Sequence, residues 1–208
     1  MLSLFVASVL GYVLGSVPTA YLLVRWRTRL DIREAGSGNV GTLNSYEVTR
    51  SKLVGVAVLV GDLLKGLVAV FLARALYDGD FVSGAVGGTA AVLGHIFPVW
   101  LGFRGGRGLA TAAGAMLATA PVFVPIWGAF WLAGFGATRS INPANAIASL
   151  LLLVLYVVVP TGGLLILLPA NVPVSGLRVM GVAVIVLVLI RLIGPVKEYV
   201  REMRARAE

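Results

Sequence analysis

The sequence predicts an all-α, polytopic integral membrane protein with about seven transmembrane helices, the N-terminus outside and the C-terminus in the cytosol. Three observations predict it. The 208 residues are 59% hydrophobic and only 12% charged, too little charge to cover the surface of a water-soluble domain of this size. The apolar residues fall in uncharged runs over 2–24, 81–103, 108–138 and 140–177, each at least as long as the roughly 20 residues a helix needs to cross hydrocarbon. Finally, the 17 Lys and Arg bracket these runs unevenly. Fourteen lie on the face that carries 25–52, 102–108, 138–145 and the tail, Arg74 and Arg178 lie on the other, and Lys65 sits within a span. Such an excess of basic residues marks the cytosolic face.

Taken in order, the first span covers about 2–24. It lacks a positive segment before it and is followed by Arg25, Arg27 and Arg29, so it reads as a retained helix rather than a cleaved signal. Residues 30–52 are polar and glycine-bearing and read as a loop. A second span over 53–76 carries Asp62 and Lys65, and an acidic turn at Asp78 and Asp80 follows. The third span, 82–101, ends in a glycine- and arginine-rich loop over 102–108. Pro121 and Pro125 interrupt 109–137, which predicts a hairpin of two shorter spans. A polar loop over 138–145 precedes a span at 146–168, residues 169–176 turn the chain back, and a last span over 178–194 leads to the tail. Residues 1–208 thus read as a single membrane domain, with 197–208 a charged cytosolic tail. The net charge of +8 is accounted for by its placement at span ends. With no basic helix face or RNA-binding signature, nucleic acid is not an expected partner, whereas membrane lipids are.

Two loops carry the strongest chemical signal. In the first, Gly36, Gly38 and Gly41 alternate with Ser37, Asn39 and Asn44. Glycines allow successive backbone N–H groups to converge into an anion-binding nest, and the Ser and Asn side chains add neutral donors. A flexible connector is the plainer reading. In the second, Arg104, Gly105, Gly106, Arg107 and Gly108 open the next helix. Free N–H groups at a helix N-terminus suit phosphate, and two guanidinium forks add charge-assisted contacts; anchoring to lipid headgroups is the alternative. His95, the only histidine, suits general-base work, although a histidine at a helix end more often holds a neighbouring loop. Asp62 and Lys65, spaced i,i+3 within a span, share one helix face and need pairing or water to be tolerated there. Asn142 and Asn145 either contribute to a site or cap a helix. The absence of Cys excludes disulfides, thiolate metal sites and a thiol nucleophile.

Four segments in this order, Gly15-Ser16-Val17-Pro18-Thr19-Ala20-Tyr21-Leu22, the run from Asp31 through Gly36-Ser37-Gly38-Asn39-Val40-Gly41 to Asn44, Asp62 with Lys65-Gly66, and Gly94-His95-Ile96-Phe97-Pro98 with Gly105-Gly106-Arg107-Gly108 and Ala110-Thr111, resemble the acyl-phosphate-dependent glycerol-3-phosphate acyltransferases of bacterial membranes. The resemblance covers nearly the whole chain. It implies a seven-helix bacterial plasma-membrane enzyme with its site facing the cytosol. Such an enzyme moves a fatty acyl group from acyl phosphate to the 1-hydroxyl of glycerol 3-phosphate, giving lysophosphatidic acid and phosphate without cofactor, metal or thiol. It makes Ser37 and His95 the candidate catalytic residues. The candidate phosphate ligands are Gly36, Gly38, Asn39, Gly41, Asn44, Lys65, Arg104, Gly105, Gly106, Arg107, Gly108 and Asn142. The other common acyltransferase signature, a His separated from an Asp by four residues, is absent, with Trp100 where the Asp would stand. The chain also departs from the family pattern. Glu47 replaces an Arg, Arg104 and Arg107 replace lysines, and Asn142 and Asn145 replace serines. A C-terminal His-Arg-x-Asn-Ile signature reads Leu192-Ile193-Gly194-Pro195-Val196. Two other readings use the same residues: a divergent paralogue with another acyl acceptor or no catalysis, and a transporter or binding protein for a phosphorylated solute. Asp62 and Lys65 inside a span suit a transporter, but no inverted repeat accompanies them.

Overall fold

In a computed structural model, which describes residues 1–168 and 172–206, the chain is helical and contains no strand among those residues. Among the described residues ten α-helices follow one another: α1 (Leu2–Ser16), α2 (Thr19–Thr28), α3 (Thr42–Thr49), α4 (Lys52–Ala75), α5 (Phe81–Ile96), α6 (Leu109–Thr119), α7 (Phe123–Thr138), α8 (Ile141–Val158), α9 (Thr161–Leu165) and α10 (Val174–Ala205). Short 3-10 turns lie at Ile32–Glu34 and Val99–Leu101. Among the described residues five segments are long and apolar enough to cross a bilayer: Leu2–Thr28, Lys52–Ala75, Phe81–Leu101, Ile141–Val158 and Val174–Ala205. Leu109–Thr119 and Phe123–Thr138 are shorter apolar helices. The chain divides into two compact units, Met1–Thr119 and Ala120–Glu208, and the boundary falls beside Pro121.

Several expected boundaries are corrected. The first span is two helices, because Pro18 has no N–H to continue the ladder; α1 stops at Ser16 and α2 starts at Thr19. Lys65 Nζ on α4 donates to the Val17 carbonyl exposed by this break, at 3.0 Å. Residues 30–52 are not simply a loop, since they contain the 3-10 turn and α3. The span expected to reach residue 168 stops at Val158, ahead of Pro160. Asn142 and Asn145 belong to α8 rather than to a loop, because only Arg139, left-handed at φ 52°, and Ser140 separate α7 from α8. The tail is not a separate segment: α10 continues through Pro195 to Ala205. Of the turn expected over 169–176, residues 169–171 lie outside the described residues.

In the first unit, α1 packs on α5 and α4 on α6. The α1–α5 approach is close enough that a Cβ on Gly15 would run into the backbone of Ala91, the small-residue contact by which helices associate where lipid tails give no hydrophobic drive. Beneath the two glycine loops, Ala20 and Val24 of α2, Ile32, Val40, Val54 and Val58 of α4, and Leu101 form one apolar cluster. That cluster seats both loops on the same floor. In the second unit α8 packs against α7 and α10. Trp127 Nε1 donates to Ser149 Oγ at 3.2 Å and Trp131 Nε1 to Asn145 Oδ1 at 2.8 Å, which satisfies indole donors that hydrocarbon would leave bare.

Candidate active site

The first glycine loop is organised by Asn44, which is 1% exposed. Its Oδ1 accepts from Ser37 N at 2.9 Å, and its Nδ2 donates to the carbonyls of Ala35 and Asn39 at 3.0 Å and of Ile32 at 3.3 Å. Gly36 is left-handed at φ 58°, and a Cβ there would collide with Asn44 Oδ1. Gly38 N–H donates to Ala35 O and Gly41 N–H to Asn39 O, both at 3.1 Å. The expectation of a nest of free amides is therefore corrected at Ser37, Gly38 and Gly41, whose N–H groups are spent within the loop. Asn44 is the hub of the loop, not a group facing outward. What the loop turns to its surface are the exposed Ser37 and the half-buried Asn39.

Arg33 joins this loop to the second. Its guanidinium pairs with Asp31 at 2.6 Å, donates through Nη1 to Leu101 O at 3.1 Å, and lies 5.6 Å from the Tyr21 ring centroid. The hydrogen-bonded guanidinium holds the Asp31 carboxyl below its usual range.

The second loop is stapled to the end of α5. Gly105 N–H donates to Ile96 O at 3.1 Å, Gly106 N–H to His95 O at 3.2 Å, and Phe103 N–H to Pro98 O at 2.9 Å. Here too the amides of Gly105 and Gly106 are committed, correcting their expected role as free donors to an anion. Glycine is needed for proximity: a Cβ on Gly106 would strike His95 Nε2 and stand 2.5 Å from Val40 O. Gly108, at φ 87°, turns the chain into the N-terminus of α6. Arg104 is exposed and Arg107 half-buried, so the charge of the loop lies at its surface while its backbone is tied down.

Below the loops, Asp62, Lys65 and His95 come together in the interior of the unit. Lys65 Nζ pairs with Asp62 Oδ1 at 2.9 Å, and His95 Nδ1 lies 3.6 Å from the same oxygen. All three residues are less than 10% exposed. A carboxylate, an ammonium and an imidazole within apolar helices are tolerable only as a cluster. A pocket lined by Ser16, Val17, Thr19, Val40, Lys65 and His95, among others, connects the cluster to the α1–α2 break and to Val40 of the first loop. The structure thus brings His95, Lys65 and both glycine loops together. Asn142 lies half-buried on α8 in the second unit.

A family model described as glycerol-3-phosphate acyltransferase matches residues 5–201. The chain belongs to the glycerol-3-phosphate acyltransferase family. Among glycerol-3-phosphate acyltransferases, that of Geobacter sulfurreducens is 43% identical over 149 residues, covering 72% of this chain and 75% of the relative. That of Pseudomonas paraeruginosa is 42% identical over 158 residues, covering 76% and 82%. Among solved structures, PlsY, an integral membrane glycerol 3-phosphate acyltransferase in its glycerol 3-phosphate form, superposes with a TM-score of 0.79 at 28% identity, over 96% of this chain and 93% of that one. Its lysophosphatidic acid form superposes with a TM-score of 0.77.

Sequence reasoning assigned no role to Ser16 or to the Val17 carbonyl, although both line the pocket or tie it together. The available signal was Pro18. A proline two residues after a serine within an apolar run predicts a helix break, and breaks inside a span expose backbone and side-chain groups that must be satisfied.

Proposed function

We infer that this member of the glycerol-3-phosphate acyltransferase family transfers a fatty acyl group from acyl phosphate to the 1-hydroxyl of glycerol 3-phosphate, releasing lysophosphatidic acid and phosphate. The observation that carries the mechanism is that Gly106 of the second loop sits against both His95 and the Val40 carbonyl of the first loop, beside a buried Asp62–Lys65 pair. Arg104 and Arg107 supply charge for phosphate oxygens at the mouth. Ser37 and Asn39 supply neutral donors beside them, and Gly36 and Gly41 shape the first loop around Asn44. Because the donor is already activated, no covalent enzyme intermediate is required. The hydroxyl oxygen attacks the acyl carbon, the bond from that carbon to the phosphate oxygen breaks, and the hydroxyl proton leaves with the phosphate or through His95 Nε2. The protein contributes position and stabilisation of charge on the carbonyl oxygen. Lys65 acts through Asp62 and Val17 in holding this frame.

The topology that fits is seven spans, with α6 and α7 as the two short ones. The N-terminus is outside, and the site faces the cytosol of a bacterial plasma membrane. The 14-to-two distribution of basic residues over the two faces supports this orientation. Residues 1–208 then read as one membrane domain, with the charged end of α10 on the cytosolic side. The chain has no native Cys, so single cysteines test the arrangement directly. In intact cells an impermeant maleimide is expected to label Asp78→Cys and to miss Arg29→Cys; the reverse pattern overturns the orientation.

Catalysis is tested with purified protein, palmitoyl phosphate and glycerol 3-phosphate, following phosphate release and lysophosphatidate together. Turnover of both is expected, and loss of phosphate release in Ser37→Ala supports the placement of the first loop. A second reading, a paralogue with another acyl acceptor, is favoured by Glu47 and by the buried Leu192, which stand where the family pattern has Arg and His. Phosphate release that requires a different alcohol than glycerol 3-phosphate would select it.

A further inference from the structure

Ser16 ends α1 with a hydroxyl that has no hydrogen-bond partner among the described residues, and its residue is 0% exposed. Thr111 Oγ1 is likewise buried without a partner, but of the two only Ser16 lines the pocket that holds Lys65 and His95. Several helix hydroxyls close back on the carbonyl four residues earlier: Ser8 of α1 itself on Leu4 at 2.8 Å, Thr49 on Ser45 at 2.7 Å, Thr89 on Ala85 at 2.8 Å and Thr119 on Ala115 at 2.9 Å. The same escape is open in principle to a serine in the last turn of α1, yet Ser16 does not take it. Burying an unpaired hydroxyl is unfavourable, and one that lines a pocket is placed to donate to whatever enters it.

The surroundings say which ligand. Ser16 lines the pocket with Lys65 and His95, and a Cβ built on Gly94, the residue before His95, would lie 3.0 Å from its Oγ. The pocket floor is already balanced in charge, with Lys65 engaged by Asp62 at 2.9 Å, and the carboxylate there disfavours a phosphate dianion. A neutral oxygen acceptor fits better. The next residue, Val17, is 43% exposed on the apolar flank of the unit, where an alkyl chain can leave the pocket for lipid.

We propose that the Ser16 hydroxyl donates a hydrogen bond to the carbonyl oxygen of the acyl phosphate, in a subsite between the α1–α2 break and the end of α5. The inference rests on the acyltransferase reading above. As the glycerol hydroxyl oxygen bonds to the acyl carbon, negative charge gathers on the carbonyl oxygen and the Ser16 bond strengthens. When the bond to phosphate breaks, the charge returns to the carbonyl and Ser16 keeps its proton. The arginines and the glycine loops are left to the two phosphates.

The test uses the full chain in detergent micelles, with palmitoyl phosphate varied at saturating glycerol 3-phosphate and the thermal midpoint recorded for each variant. Ser16→Ala is expected to lower kcat by roughly tenfold to hundredfold, with the midpoint unchanged or raised because an unpaired buried hydroxyl has been removed. Unchanged kcat, or a fall in kcat matched by a fall in midpoint, overturns the proposal. Ser16→Cys keeps the side-chain volume but donates weakly and should fall between the two. Full activity in Ser16→Cys beside an inactive Ser16→Ala would show that volume alone matters, and would also overturn it. A wild type without turnover refutes the acyltransferase reading itself, whereas an active wild type equalled by Ser16→Ala refutes only this subsite.

Discussion

The loop before α3 is organised from within by one buried side chain, whereas the loop before α6 is fastened through its own backbone to the end of α5. In the first, the four hydrogen bonds of the Asn44 amide draw 32–39 into a tight turn. In the second, Gly105 and Gly106 close on Ile96 and His95, with Arg104 exposed and Arg107 half-buried beside them. Both loops use glycine for closeness rather than for a row of free amides, so under the proposed function anion binding falls to side chains: neutral ones in the first loop and cationic ones in the second. The contrast suits two phosphates held side by side, since one heavily cationic loop and one neutral loop avoid crowding like charges at the same mouth.

The largest expected effect strikes the foundation the two loops share. Asp62→Asn leaves Lys65 buried without its partner and should destabilise the protein by about 3–5 kcal/mol, read as a drop in thermal midpoint in detergent. Asp62→Asn combined with Lys65→Met should recover most of that loss, and failure to recover it would mean that the pair is not the source of the effect. Next comes the hub of the first loop. Asn44→Ala removes four hydrogen bonds at once and leaves buried backbone groups unpaired, at an expected cost of about 1–3 kcal/mol and with loss of turnover, whereas an equal cost from Asn39→Ala would erase the distinction between hub and surface. Arg107→Ala in the second loop should raise the apparent KM for glycerol 3-phosphate by roughly tenfold or more; unchanged kinetics would refute the placement of that phosphate.

The smallest effect concerns the strap between the loops. Arg33 holds the Asp31 carboxyl low, so the contribution of the pair is complete above the ordinary carboxylate range and disappears as pH falls through the lowered value. For a partly exposed pair that contribution is about 1 kcal/mol or less. The difference in midpoint between wild type and Asp31→Asn should therefore be present at neutral pH and vanish well below about pH 4, and a difference that grows on acidification would contradict the assignment.

How far the sequence could be read follows the range of the interactions involved. Membrane character, helical class and the positions of most breaks are local properties. They depend on runs of apolar residues, on prolines such as Pro18 and Pro121, and on basic residues at span ends, and all of these are visible along one dimension. The i,i+3 spacing of Asp62 and Lys65 likewise put both on one helix face, where charge must be paired or wet, and the four motif segments carried the family. The roles within the loops were not local. Asn44 and Asn39 are the same residue type five positions apart, yet one is a buried hub and the other half-buried at the loop surface, and only the backbone that folds around the Asn44 amide decides between them. Gly105 and Gly106 look like free donors until the end of α5 arrives to take their amides. Asn142 and Asn145 look like loop residues until α8 starts one residue beyond Ser140. By itself the sequence determined that the chain enters a membrane as helices, and which residue types are at hand for phosphate, because burial of apolar length and pairing of charge act along a single helix. Only tertiary structure decided which amides and hydroxyls stay available, because a hydrogen bond is committed by whichever partner packing brings within about 3 Å, as it brings Lys65 of α4 to the Val17 carbonyl and leaves the Ser16 hydroxyl without one.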